Sequence, residues 1–347
     1  MCAQSFPQSY GNLVEIPFQQ VLEALLDEKK PFHPRYLFRF SDLEEDELRA
    51  LEETWPKVSV RRRRSIMEDI EELGETNLTL SFEEFCRYTI GDNDAYVRES
   101  AVRALGEYEN DNLIQLFESL LTNDSNAEVR AAAATALGRY VYLGEIEELP
   151  ENTLNRLVEL LLQVYASKEA VLVRRRALES LGYSSRDEIP AMIESAYYSG
   201  KEDWIVTALF AMGRTANSQW NTPVLEMLEN DSTEIRYEAA RAAGELELHE
   251  STDRLIELLD DSDIDIRMAA AWSLSQIGGE GVRDALELLF EETEDEEEAD
   301  FVEQALDNLE FTEDMELFSL IEVPDDENED GEEDLDDFED ELEDEEP

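Results

Sequence analysis

Histidine and cysteine are nearly missing from this chain of 347 residues, with two of each. The cysteines, Cys2 and Cys86, are too few for a disulfide framework or a Cys-based zinc site. The histidines, His33 and His249, leave little material for His-centred catalysis, and neither sits in a nucleophile-elbow context. No Gly-rich phosphate loop occurs. No apolar run approaches the ~20 residues that a membrane span needs. The opening Met1-Cys2-Ala3-Gln4-Ser5 has neither the basic region nor the apolar core of a secretory signal. These shortages predict a non-enzymatic, cytoplasmic protein with no cofactor, no bound metal and no membrane association.

Positive charge is also scarce. There are 88 Asp and Glu against 28 Lys and Arg, a formal net charge of −60. The last 27 residues alone hold 18 acids and no base. Such a field repels nucleic-acid phosphates and attracts basic partners. Solubility, or adaptation to a salty cytoplasm, is the equally open alternative. Only five of the 28 cations are Lys. Arg is the residue for planar pairing with carboxylates or capping of carbonyls.

What the chain does have is a repeat. Its cleanest copy is Asn126-Ala127-Glu128-Val129-Arg130 followed by an alanine run to Leu137-Gly138. Asn126 is placed to cap a helix start, and Gly138 to end it in a left-handed conformation. Val129, Ala133, Ala136 and Leu137 form one apolar stripe at helical spacing. Arg98, Arg130, Arg174, Arg236 and Arg267 hold the anchor position, each after Val or Ile. Ile205 and Val302 hold it in weaker copies. The intervals are 31 to 35 residues, except one of 44. A second apolar-periodic run follows each copy, as in 113–121 and 154–162. A helix pair about every 31 residues, with no alternation of period two, reads as an all-α fold, an α-solenoid. The anchor arginines are expected to pair structurally, in a ladder along the array.

The run Asp92-Asn93-Asp94-Ala95-Tyr96-Val97-Arg98 and its equivalents resemble the short HEAT-like repeats of phycobilisome lyases, over roughly residues 91–310. The resemblance implies a superhelix with first helices on the convex side and second helices lining the concave side. It is compatible with bilin handling, though no residue singles out a pigment site. Deoxyhypusine hydroxylase, also built of HEAT-like repeats, holds a di-iron centre with several His-Glu pairs. This chain has one, His249-Glu250, so the ligand count excludes that activity.

Three regions follow. Residues 1–90 read as an irregular helical cap, with a loose leader, capping boxes at Ser41 and Ser81, and a basic island at Arg61, Arg62, Arg63 and Arg64. The island is either a binding patch or a helix face neutralising nearby acid. Residues 91–312 are the array of about seven repeats, the second carrying an insertion at Tyr140–Pro150. Residues 313–347 are a docked segment followed by an acidic tail of disordered composition. Among the aromatics of repeats two to five, Tyr183, Tyr198 and Trp220 fall off the apolar registers and are the candidate exposed contacts.

Two functional readings remain open. One is a protein-binding scaffold for partners with basic surface. The other is a lyase-like or chaperone subunit acting on a tetrapyrrole-carrying protein. For the tail, deleting residues 325–347 should leave helicity and melting nearly unchanged while reducing salt-sensitive binding to basic proteins. Circular dichroism and binding titrations between ~0.1 and ~1 M salt check this. Unchanged binding with unchanged salt dependence would leave the tail a solubiliser only.

Overall fold

The computed structural model describes residues 16–77 and 79–320, with side chains through residue 315. The leader and the acidic tail lie outside the described residues, as does the docking of Leu317–Val323. Among the described residues every regular element is helical, and no helix is long and apolar enough to cross a membrane. The N-terminal part holds α1 (Phe18–Leu26), a 3-10 turn at Pro34–Phe40, α2 (Glu45–Thr54) and α3 (Val60–Thr76). Helix pairs follow: α4 (Glu83–Thr89) with α5 (Ala95–Leu105), α6 (Asp111–Asn123) with α7 (Ala127–Glu145), and α8 (Glu151–Ala166) with α9 (Val171–Leu181). The rest are α10 (Ile189–Tyr197) with α11 (Glu202–Arg214), α12 (Asn221–Met227) with α13 (Thr233–Glu245), α14 (Thr252–Leu258) with α15 (Ile264–Ile277), and α16 (Val282–Glu292) with α17 (Glu296–Leu320). The odd-numbered helices from α3 to α17 stack in one continuous row, and the even-numbered ones cover it from one side. The protein is an α-solenoid.

Local chemistry starts these helices. Asp94, Asn126, Ser232 and Asp263 each accept a backbone N–H of the first turn, which satisfies donors that a helix start leaves free. The two expected capping boxes lie elsewhere. The box that opens α2 is Glu44 with Glu47, while Ser41 instead accepts from the Ser81 backbone N–H. Helix α4 starts after Phe82 with no side-chain cap.

The repeated glycines do not end their helices in left-handed turns. Gly106 and Gly182 have φ of −63° and −57°, and Gly138 lies inside α7. Their role is close approach between successive row helices. A Cβ at Gly138 would lie 2.8 Å from Ser180 Oγ, and one at Gly182 would lie 2.9 Å from the Ala211 backbone. Alanines continue the same seam, with Ala133, Ala177, Ala208 and Ala239 fully buried. The row helices therefore sit closer together than the covering helices, which scarcely touch one another. The tighter layer takes the shorter side of the curve. A groove opens on the row helices and takes no lining from α6, α8 or α10, so the expected assignment is reversed: the first helices line the concavity and the second helices back it.

The anchor arginines stand in the first turns of the row helices α5, α7, α9, α13 and α15 and reach the turns within the pairs. Arg98 donates to both carboxylate oxygens of Asp124 at 2.8 Å and to the Asp92 carbonyl at 2.9 Å. Arg130 does the same with Glu169 and the Asp124 carbonyl, and Arg267 with Glu298 and the Asp261 carbonyl. Arg236 joins Asp261 to the Asn230 carbonyl. Each such Arg ties its own turn to the start of the next repeat through a bidentate or near-bidentate contact. Arg174 departs from the pattern. It donates to the Tyr165 carbonyl at 2.7 Å and stacks over the Tyr165 and Trp204 rings.

The cap is fused to the array by shared core. Phe85 packs against Phe40 and Trp55, with centroids 4.6 and 5.3 Å apart. A buried charge contact joins the same elements. Arg63 Nε lies 3.1 Å from Asp92, with the two side chains 9% and 4% exposed. Trp55 Nε1 donates to that carboxylate at 2.8 Å. Removing one member of a buried pair leaves the other uncompensated. Arg63→Ala should therefore lower stability by about 3 kcal/mol, read from the denaturation midpoint, whereas Arg61→Ala on the exposed side of α3 should be nearly neutral.

Candidate binding groove

Successive turns of the row helices leave a groove of about 1470 Å³ lined by α3, α5, α7, α9 and α11 and their adjoining turns. None of its lining comes from α6, α8 or α10. The lining follows a register. Five residues beyond the anchors Arg98, Arg130, Arg174 and Ile205 come Arg103, Thr135, Glu179 and Phe210, all on the wall. Nine beyond come Glu107, Arg139, Tyr183 and Arg214, also on it.

The wall holds seven glutamates and four arginines. Its arginines are all engaged: Arg103 with Glu71 and Glu99, Arg139 with Glu109, Arg176 with Glu179, and Arg214 with Glu245. Glu71 and its hydrogen bonds raise the Arg103 guanidinium further above its ordinary range. Glu75, Glu107 and Glu128, by contrast, are exposed and have no ion-pair partner among the described residues. The face presents uncompensated negative charge and no uncompensated positive charge.

Toward α13 the wall becomes a stack of rings and guanidinium planes. Tyr142 meets Tyr183 edge-on at 5.8 Å. Arg214 lies over Tyr183 and Phe210, and Arg241 over Phe210 and Tyr237. This stacking leaves the buried Nε–H of Arg214 without an acceptor. Beneath the stack lie buried acids. Glu179, 4% exposed, accepts from Thr207 at 2.7 Å, and Thr207 accepts from Arg175. Glu238 is 7% exposed, with Arg241 Nη1 at 3.5 Å as its nearest cation. Burial pushes its carboxyl up to about 7, with Glu245 and Glu179 adding to the rise and Arg241 and Arg214 opposing it. Burial raises Glu245 as well, against the pull of Arg214 and Arg241.

The candidate contacts from sequence fall in different places. Tyr183 lies on the groove wall but half-buried under Arg214. Tyr198 is 72% exposed at the end of α10, in the covering layer and away from the groove. Trp220 is buried at 6%, because the short turn before α12 folds its ring into the core, so it is no exposed contact. In the basic island Arg62 donates to the carbonyls of Ala24, Asp27 and Lys30. Arg63 faces Asp92, and Arg64 pairs with Asp94 at 2.7 Å. Only Arg61 of the four is exposed without such a partner among the described residues. The island is thus largely the inner fastening of the cap.

Sequence reasoning passed over Tyr142 and Glu179 as groove residues. The offset of five from Arg174 would have found Glu179, whereas Tyr142 stands twelve beyond Arg130, outside both wall registers. The turn acids Asp92, Asp124 and Asp261 stand six residues before an anchor Arg, a spacing hidden by the abundance of acid. Cys86 is fully buried and its thiol is pushed up to about 12 by burial, which removes it as a nucleophile. His33 accepts from the Arg35 N–H as a turn cap.

A family profile described as HEAT repeats matches residues 82–182, 189–266 and 221–307. Among solved structures, the chain is similar to YibA of Escherichia coli at 20% identity, covering 81% of this chain and 98% of that one, with a TM-score of 0.39. It is similar to the CpcE–CpcF complex of phycocyanin lyase from Nostoc sp. at 20% identity, covering 65% and 94%, with a TM-score of 0.43. It is also similar to human deoxyhypusine hydroxylase at 15% identity, covering 85% and 96%, with a TM-score of 0.35. No curated protein matches the chain.

The buried acid has a pH signature. A carboxyl that titrates near 7 when folded and near 4.5 when unfolded holds more protons in the folded state, so its contribution is complete below pH ~4.5 and is lost as pH rises toward 7. Glu238→Gln should remove that loss and make the protein more stable than the native chain at pH 8, by up to about 3 kcal/mol. The difference should shrink toward pH 5. Denaturation midpoints across this range test it, and parallel pH profiles for the two proteins would refute it.

Proposed function

The chain belongs to the HEAT-repeat family, and on that premise we propose that it is a non-enzymatic protein-binding scaffold whose inner groove holds a basic, Arg- or Lys-containing segment of a protein partner. The observation that carries this is the charge state of the wall. Every groove arginine is paired internally, whereas Glu75, Glu107 and Glu128 are exposed and have no ion-pair partner among the described residues. A cationic segment gains three contacts there without breaking any existing pair.

Size points the same way. At about 1470 Å³ the groove exceeds the ~300–1,000 Å³ that enclose a small ligand. It runs over five helices, on the order of 40 Å at 8–10 Å per packed helix. That suits a length of polypeptide. The net charge of −60 speeds encounter with cations and disfavours nucleic acid. A non-enzymatic role fits the inert Cys86 and the capping role of His33.

The triple variant Glu75→Gln, Glu107→Gln, Glu128→Gln tests the groove. All three residues are exposed, so melting should stay within a few degrees of the native value. Affinity for an Arg- and Lys-rich peptide at about 0.1 M salt should fall roughly five- to tenfold, and the salt dependence should flatten. Native-like affinity with native-like salt dependence would place recognition elsewhere on the molecule.

A further inference from the structure

Aromatic rings recur along the inner face, and three of them, Tyr183, Phe210 and Tyr237, are already covered by the chain's own cations. Arg214 lies 5.4 Å from the centre of Tyr183 and 4.9 Å from that of Phe210, and Arg241 lies 5.9 Å from that of Tyr237. Two rings are different. Tyr142 is 47% exposed and Trp272 is 37% exposed. Among the described residues neither has a guanidinium over its face. Tyr142 lines the groove and touches only the edge of Tyr183. Trp272 is the fifth residue after the anchor Arg267 on α15. That register places Arg103, Thr135, Glu179 and Phe210 on the groove wall, so Trp272 continues the same face. Its ring neighbour is Phe301 at 6.1 Å. On the adjoining α17, exposed Asp307 is the fifth residue after the anchor Val302, and exposed Asp300 stands two before it, as the groove residue Glu128 does before Arg130.

We infer that Tyr142 and Trp272 are two vacant cation–π platforms that seat arginine side chains of one extended, Arg-containing partner segment. This rests on the groove being the partner site and adds how the partner is read. A guanidinium stacks on an aromatic face while its edge donors reach carboxylates, and this protein uses that arrangement repeatedly within itself. At Tyr142 and Trp272 the ring and a nearby acidic surface are present while the cation is missing. A net charge of −60 supplies the attraction and excludes an anionic occupant. The rings stand four row helices apart, on the order of 30–40 Å at 8–10 Å per helix. An extended chain covers that in roughly 10–12 residues at ~3.3 Å each. Both platforms can thus be met by one segment.

Trp272 also supplies the readout. The other tryptophans, Trp55, Trp204 and Trp220, are 2%, 9% and 6% exposed, so a ligand on the inner face should alter the emission of Trp272 above all. The probe is a labelled peptide of about 16 residues alternating Arg and Gly, long enough to span both rings, beside the same peptide with citrulline, which keeps the planar group and removes the charge. The full chain should bind the Arg peptide with a change in tryptophan emission and bind the citrulline peptide far more weakly. Tyr142→Leu and Trp272→Leu should each weaken binding about three- to fivefold, and the double variant roughly ten- to twentyfold. Tyr142→Phe should retain near-native affinity, and circular dichroism should be unchanged throughout.

If the double Leu variant binds as the native chain does while the triple Glu→Gln variant binds more weakly, the platforms are refuted and the groove reading stands. If neither variant weakens binding, or the Arg peptide does not bind, both are refuted. Equal binding of the citrulline peptide refutes both, because neither the rings nor the wall carboxylates would then be reading charge.

Discussion

The architecture depends on how closely one row helix lies against the next. Gly138 facing Ser180 and Gly182 facing Ala211 leave no space for a Cβ, and the intervening alanines keep the seam thin. Two helices in such contact approach nearer than helices separated by Leu, Ile and Phe, which is what the covering layer carries at Leu113, Phe117 and Ile193. A sheet of helices narrower on one side must curve toward that side. The small residues of the row therefore decide which helices face inward, and so which residues a partner meets.

The second constraint is the shortage of cations. With 28 positive side chains against 88 negative, an unpaired guanidinium on the surface is rare and an unpaired carboxylate is the rule. Arg98, Arg130, Arg236 and Arg267 are committed to joining the turns, and three of the carboxylate partners, Asp124, Glu169 and Asp261, also accept a backbone N–H of their turn. Asp124 shows the consequence. Burial raises its carboxyl, but hydrogen bonds from Arg98 and the Asn126 backbone offset that and hold it below its ordinary range. Arg130 acts likewise on Glu169. Arg62 and Arg63 fasten the cap, and Arg214 and Arg241 stack into the inner wall. Cations are consumed in holding the molecule together. The face left over is acidic with bare rings, and the proposed Arg-bearing segment rests on that complementarity.

The break in the ladder at Arg174 falls where the stack begins. Its place over Tyr165 and Trp204 replaces a carboxylate contact by two rings, since the following turn offers Ser199, Gly200 and Lys201 instead of an acid. From α9 onward the row uses aromatic–guanidinium contacts on its inner side as well as ion pairs in its turns. The inner face thus changes character along its length, from acidic over α3 and α5 to aromatic over α9 to α13.

The sequence alone determined the repeat, its period and the anchor arginines, because each of these depends on spacing within about 40 residues of chain. It also determined the charge. The tertiary structure decided which layer is concave, because that depends on comparing two inter-helix distances, neither of which is written at any one position. It decided that Trp220 is buried and Trp272 exposed, since both stand near turn or polar residues and differ only in what packs over them. It decided that Arg62 and Arg63 face inward while Arg64 pairs with Asp94 at the surface, because a run of four arginines reads the same whether its partners are solvent, carbonyls of α1 or the carboxylate of Asp92. Periodicity is a property of the chain, whereas exposure is a property of what the folded chain places against itself.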